Sequence, residues 1–256
     1  MNAKSLILAA AVALGTTAAA HAEWTTVRIG TEGAYPPFNY VDSDGQLRGF
    51  DLDIARALCE QMNVTCEFVA QDWDGIIPGL VAGRYDAIIA SMSITPERLE
   101  QVDFSDKYYQ TPARFAARRG SDITDTSPEA MAGRVIGAQS STVSANFLED
   151  IYTSSEIRLY ATQDEANLDL AAGRLDAVFA DSIVLYEWLE KTDDGSCCEF
   201  VGDAYADEEY FGTGVGIALR KEDDDLREMF NAALAEILAN GTYERINAEY
   251  FPFSIY

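Results

Sequence analysis

Leu80-Val81-Ala82-Gly83-Arg84-Tyr85-Asp86-Ala87-Ile88-Ile89-Ala90-Ser91 returns as Leu170-Ala171-Ala172-Gly173-Arg174-Leu175-Asp176-Ala177-Val178-Phe179-Ala180-Asp181, with seven of twelve positions identical. Each copy reads as a helix end, a glycine C-cap and a short apolar strand. Glycine takes the left-handed backbone that closes a helix, and the apolar run after it is too short to be another helix. A fainter echo lies upstream of each copy, where Ile29-Gly30-Thr31-Glu32-Gly33 parallels Ile136-Gly137-Ala138-Gln139-Ser140, a strand running into a polar loop. Two echoes in the same order predict a duplicated architecture of two similar α/β units.

The first copy continues as Met92-Ser93-Ile94-Thr95-Pro96-Glu97-Arg98. Thr95 suits an N-cap, Pro96 the first helical position and Glu97 the first turn, so a helix N-terminus follows the strand end. Such a junction gathers free backbone N–H groups and positive dipole character. Arg98, one turn in, adds a planar fork matched to a carboxylate. The second unit offers a similar strand-to-helix seat at Gln139-Ser140-Ser141-Thr142. If the units face each other, Ser91 and Ser93 line one wall of a cleft and Asp181 the other. Arg98 and the N–H groups near Thr142 then suit a carboxylate and Asp181 an ammonium, the two ends of an amino acid backbone. The loop Thr31–Phe38, stiffened by Pro36 and Pro37, carries Glu32 and Tyr35. Tyr35 and Trp73 offer flat faces to a side chain, and Glu32 can meet a cation beyond it.

The rest of the first half alternates strand and helix. Val27–Gly30 is a strand, Asp42-Ser43-Asp44-Gly45 a hairpin turn, and Ile54, Leu58 and Met62 mark one face of an amphipathic helix. Cys66–Val69 is the next strand, and Asp72 or Asp74 is placed to cap a helix containing Ile76, Ile77 and Leu80. This order predicts mainly parallel sheets with ligands at the carboxyl ends of the strands.

Composition narrows the chemistry. Residues 1–22 read as a secretory signal peptide: Lys4, an apolar stretch over Ser5–Ala13, and Ala20-His21-Ala22 before a cleavage point. No cysteine lies near that point, which favours a periplasmic protein over a lipid-anchored one. Without this segment the chain holds 17 basic and 43 acidic residues, a formal charge of −26, and no histidine. That rules out His-dependent nucleophiles and His-ligated zinc, and so acid excess argues against nucleic acid or an anionic membrane as partner. No other apolar run approaches the roughly 18 residues of a spanning helix. Cys59 and Cys66 are spaced to close a short disulfide loop. For the adjacent Cys197 and Cys198, a vicinal disulfide, free thiols and intermolecular pairing all remain open.

With these residues in hand, the chain resembles periplasmic solute-binding proteins for polar amino acids, the soluble receptors of ATP-driven importers. Gly49-Phe50-Asp51-Leu52-Asp53-Ile54 looks like the family signature and Ser91-Met92-Ser93-Ile94-Thr95 with Arg98 like its carboxylate-binding segment. Within the family it is most similar to the lysine/arginine/ornithine, histidine and opine receptors, which share the Cys59 to Cys66 spacing and the pattern Asp103-Phe104-Ser105. The resemblance implies the type II periplasmic binding protein fold: two α/β lobes joined by two hinge strands. Lobe one is expected at 23–109 and 214–256, lobe two at 114–205, and hinges at 110–113 and 206–213. It implies a monomer that binds an amino acid, delivers it to a membrane permease, and uses no cofactor or metal.

Carried over by residue, Arg98 holds the ligand carboxylate and Asp181 its α-amino group. Ala90, Ser91 and Ser93 line the same wall, and Ser141 and Thr142 close from lobe two. Tyr35 and Trp73 sandwich the side chain, and Glu32 pairs with its distal cation. Arginine is the expected ligand, with lysine, ornithine and histidine behind it. Many relatives carry Asp, Phe, Ser and Gly where this chain has Glu32, Trp73, Ala90 and Ser140; opine receptors resemble it at Thr31-Glu32-Gly33 and Trp73, which keeps an arginine-derived opine as an alternative. A cyclohexadienyl-type dehydratase, with Glu32 as general acid, and a sensory module are the remaining readings.

Overall fold

The computed structural model describes residues 24–256. The expected signal peptide, residues 1–22, lies outside the described residues. The chain starts with β1 (Thr26–Thr31), a ribbon of β2 (Ala34–Tyr35), β3 (Asn39–Val41) and β4 (Leu47–Arg48), then α1 (Phe50–Met62) and β5 (Thr65–Ala70). A 3-10 turn at Trp73–Gly75 leads into α2 (Ile76–Val81), β6 (Ala87–Ile88), α3 (Pro96–Leu99) and β7 (Asp103–Phe104). The chain then crosses to β8 (Ala113–Arg118), β9 (Val135–Gln139), α4 (Val143–Ile151), β10 (Glu156–Tyr160) and α5 (Gln163–Ala171). There follow β11 (Ala177–Asp181), α6 (Ser182–Lys191), β12 (Cys198–Tyr205) and α7 (Glu208–Phe211). It returns with β13 (Ala218–Leu219), α8 (Asp224–Ala239) and α9 (Thr242–Tyr250).

Two five-stranded sheets result, ordered β5-β1-β6-β13-β7 and β10-β9-β11-β8-β12. In each, four strands run one way and the fourth in the order, β13 or β8, runs against them. Both reversed strands are the first to form after the chain has crossed between sheets. The two passages lie side by side, with Val215 N–H donating to the Tyr109 carbonyl at 2.9 Å and Tyr108 N–H to the Val215 carbonyl at 2.8 Å.

The repeat seen in the sequence is a repeat in space. Gly83 and Gly173 both take left-handed φ, 72° and 74°, and end α2 and α5. Asp86 then accepts the N–H of Arg28 at 3.0 Å, and Asp176 that of Val135 at 2.8 Å, which locks the incoming strand beside the start of β1 or β9. The pairing is the same in both lobes: Ile29 faces Ala87 and Gly30 faces Ile88, as Ile136 faces Ala177 and Gly137 faces Val178. The two glycines share a packing reason. A Cβ on Gly30 would stand 2.6 Å from the Tyr85 ring, and one on Gly137 would collide with Leu175, the residue equivalent to Tyr85.

Tyr85 is fully buried and its hydroxyl donates to the Ile76 carbonyl, so it has little room to yield. Gly30→Ala is therefore expected to cost about 1–3 kcal/mol of stability through overpacking, read as a lower urea midpoint with unchanged slope. A midpoint within error of the parent protein would show that the ring moves freely.

The capping expectation for Asp72 and Asp74 is corrected. Neither side chain caps the turn at Trp73 or α2. Asp74 instead accepts from the Ser140 hydroxyl at 3.0 Å, across the gap between lobes. Cys59 and Cys66 are disulfide-bonded, tying α1 to β5, and Cys197 and Cys198 are paired with each other. No helix among the described residues is long and apolar enough to cross a membrane.

Candidate functional site

A cavity between the lobes lies at the carboxyl ends of the parallel strands. Glu32, Tyr35, Trp73, Ala90, Ser91, Ser93, Arg98, Thr142 and Asp181 all line it, nine of the ten residues singled out from the sequence. Ser141 is the exception: its side chain is not part of the lining, yet its carbonyl accepts from Trp73 Nε1 at 3.0 Å and from Arg98 Nη2 at 3.4 Å. Ser141 and Ser91 are two of three non-glycine residues with left-handed φ among the described residues, at 57° and 55°. Such backbone costs energy for a residue with a Cβ and gathers at functional sites.

Arg98 is placed by the turn that precedes it. Thr95 caps α3, its hydroxyl oxygen accepting the Arg98 N–H at 3.3 Å, with Pro96 at the first helical position. Arg98 is 9 % exposed; its guanidinium donates to the Ser93 carbonyl at 3.0 Å and stands 5.3 Å over the Trp73 ring. Burial pulls its pKa down to about 10, so it stays charged at neutral pH. Opposite it, Thr142 caps α4 by accepting the Ala145 N–H at 3.1 Å. Val143 and Ser144, whose N–H groups in the first turn have no helical acceptor, also line the cavity. A guanidinium and a helix N-terminus thus converge on one end of the cleft, an arrangement suited to an anion.

Asp181 ends β11 and caps α6. Its Oδ1 accepts from the N–H of Ile183 at 2.8 Å and of Val184 at 3.3 Å, and its Oδ2 accepts from the Thr111 hydroxyl. Burial nevertheless outweighs these donors and raises its pKa to about 6. Glu32 is raised further, to about 7, chiefly by burial and also by Asp72 and Asp74. The amide of Gln139, donating from the other lobe at 2.5 Å, opposes this. Behind Ser91 lies Asp51 of α1, fully buried and raised to about 6 by burial. It accepts from Tyr108 at 2.7 Å, Asn39 at 2.9 Å and Ser91 at 3.0 Å, so it fixes the serine's unusual backbone.

Sequence reasoning missed the contributions of Tyr109, Thr111, Phe211 and Val215, which come from the two passages between sheets, and of Gln139 as a cavity residue. Nothing local to those residues marks them. Their place follows from the pairing of distant segments. Trp73 serves in two settings, packing with Ile76, Leu80 and Tyr85 while presenting its ring to the cavity. Among the described residues no group of His, Cys, Asp and Glu is arranged to hold a metal ion.

The chain was compared with known proteins. The family model for bacterial extracellular solute-binding proteins, family 3, matches residues 27–253. An L-arginine-binding protein of Pseudomonas aeruginosa is 47 % identical over 232 residues, 90 % of this chain and 89 % of that protein. The lysine/arginine/ornithine-binding periplasmic protein of Escherichia coli K12 is 39 % identical over 259 residues, 100 % of this chain and 99 % of the other. A Salmonella typhimurium periplasmic binding protein described for high arginine specificity superposes with a TM-score of 0.81 at 33 % identity. That match covers 88 % of this chain and 99 % of the other. Fold, cleft and both sequence relatives agree, and the chain belongs to the bacterial extracellular solute-binding proteins, family 3.

Proposed function

We propose that the protein is the periplasmic substrate-binding component of an ATP-driven amino acid importer, capturing a cationic amino acid, arginine foremost, between two closing lobes. The observation that carries this is a count of charge in one cleft. A zwitterionic amino acid backbone engages Arg98 and Asp181 and leaves Glu32 without a cation, so a ligand with a positive side chain completes the site. The pKa of Glu32, raised chiefly by desolvation and then by Asp72 and Asp74, supports the same reading, because a cation beside it would favour the ionised form.

In this reading Arg98 and the start of α4, with Thr142 and the Ser141 backbone, take the carboxylate, and Asp181 takes the α-ammonium. Ser91 and Ser93 add polar contacts beside Ala90. Tyr35 and Trp73 flank the side chain. Lobe one comprises 23–109 and 214–256 and lobe two 114–205, with hinges at 110–113 and 206–213. The mature chain, exported by the signal peptide at 1–22, acts as a monomer in the periplasm and hands its ligand to a membrane permease. The relatives compared above are binding proteins, which supports a receptor over the dehydratase reading.

Calorimetry with arginine, lysine, ornithine, histidine and the neutral isostere citrulline, at pH 8 and pH 5.5, tests both ligand class and electrostatics. Arginine is expected to bind at micromolar dissociation constant or tighter, about −8 kcal/mol, and ahead of citrulline. Preference for neutral ligands would overturn the reading. Glu32 and Asp181 titrate near 7 and 6 in the free protein, and a bound cation favours their charged forms. Binding therefore releases protons, and arginine affinity should fall on the order of a hundredfold from pH 8 to pH 5.5. The free protein moves the opposite way. Raised carboxyl pKa values contribute stability at low pH that is lost as pH climbs through 6 to 7, so its melting temperature should rise on mild acidification.

A further inference from the structure

We propose that Gln139 is a positioning residue for ligand specificity, reaching across the cleft from the second lobe to aim the Glu32 carboxylate at the ligand's distal cation. This rests on the reading of Glu32 as acceptor for that cation.

Gln139 is the last residue of β9, 2 % exposed, and held on every side. Its backbone pairs with Tyr160 of β10, and its carbonyl accepts from the Thr142 hydroxyl at 2.8 Å. Its side-chain Nε2 donates to the Ala161 carbonyl at 3.1 Å and to Glu32 Oε1 at 2.5 Å. The amide orientation follows from chemistry, because a carbonyl and a carboxylate both need a donor and Nε2 is the one end that can serve both. One N–H is anchored on rigid backbone of its own lobe and the other is delivered to the opposite lobe.

Around Glu32 the other charged influences are Asp72 and Asp74, both of like sign and both on its own lobe. Gln139 opposes them. A neutral donor stabilises the ionised carboxylate without cancelling its charge, as an arginine there would. It occupies Oε1 and leaves Oε2 for the ligand. Because the two residues belong to different lobes, the aligned carboxylate exists only while the lobes are together. Selectivity for a cationic side chain is thereby tied to closure.

The test is a double-mutant cycle on the mature protein, with E32Q, Q139L and the pair, reading dissociation constants for arginine and citrulline between pH 5.5 and 8. A lost charge-assisted hydrogen bond corresponds to roughly 10- to 100-fold. Q139L should therefore lower the preference for arginine over citrulline about tenfold or more and move the acid limb of arginine binding to higher pH. In the E32Q background Q139L should change arginine affinity less than about twofold. Equal losses for both ligands, or losses that add to those of E32Q, would show a merely structural glutamine and overturn the proposal. If E32Q alone leaves the preference unchanged, Glu32 does not face a cation, and the reading and this inference fall together. Q139M, close to glutamine in length, repeats the cycle should leucine impair folding.

Discussion

Arg98→Ala is expected to weaken arginine binding by about 10²- to several-thousand-fold, taking the calorimetric signal of a micromolar site below detection. The guanidinium is the fixed cation of the cleft, buried beside Trp73 and held by the carbonyls of Ser93 and Ser141. The Ser93 carbonyl, on the same lobe, sets the fork's orientation before ligand arrives, and the Ser141 carbonyl joins it when the lobes are together, so little rotamer freedom is lost on binding. Removing one partner of a buried charge pair leaves the other desolvated and alone, typically a loss of about 3–5 kcal/mol. Lysine is no substitute, since one ammonium cannot span two carbonyls and both carboxylate oxygens. The loss should be shared by every amino acid ligand, charged or neutral, because the carboxylate is common to all. Affinity within tenfold of the parent protein would refute the carboxylate assignment.

Asp181→Asn separates charge from architecture. Asparagine caps helices about as well as aspartate, so the bonds to Ile183 and Val184 that start α6 survive the change. What goes is the anion that faces the α-ammonium, at about 2–5 kcal/mol, or roughly 30- to several-thousand-fold in dissociation constant. The unliganded variant should be as stable at pH 7.5 as the parent, or more so. With a folded pKa near 6, above its ordinary value, the ionised carboxylate of Asp181 opposes folding at neutral pH. A melting temperature that falls sharply would mean the residue works mainly for the fold. Unlike E32Q, which should hurt cationic ligands selectively, Asp181→Asn should weaken neutral ones as well.

Legibility followed the range of the physics. Gly83 and Gly173 could be read as helix ends because a C-cap is decided within a few residues, and both adopt the left-handed backbone. Thr95 was legible as an N-cap for the same reason. Asp72 and Asp74 were misjudged because an acid before a helix also has longer-range uses. Asp74 finds its partner in Ser140, 66 residues on. Asp51 stood in a recognisable signature, but its burial against Tyr108, Asn39 and Ser91 depends on how β3, α1 and the passage after β7 pack together.

The sequence by itself determined the two-unit α/β plan, the seat at Thr95–Arg98, the lack of histidine once residues 1–22 are set aside, and the acid-rich balance. These are composition, periodicity and caps, all local and additive along the chain. Only the tertiary structure decided that Glu32 is half-buried beside like charges, that Gln139 meets it from 107 residues away, and that Trp73 and Arg98 share the Ser141 carbonyl. Desolvation and pairing depend on what surrounds a group in space. In a two-lobed fold, much of that surrounding comes from the other half of the chain.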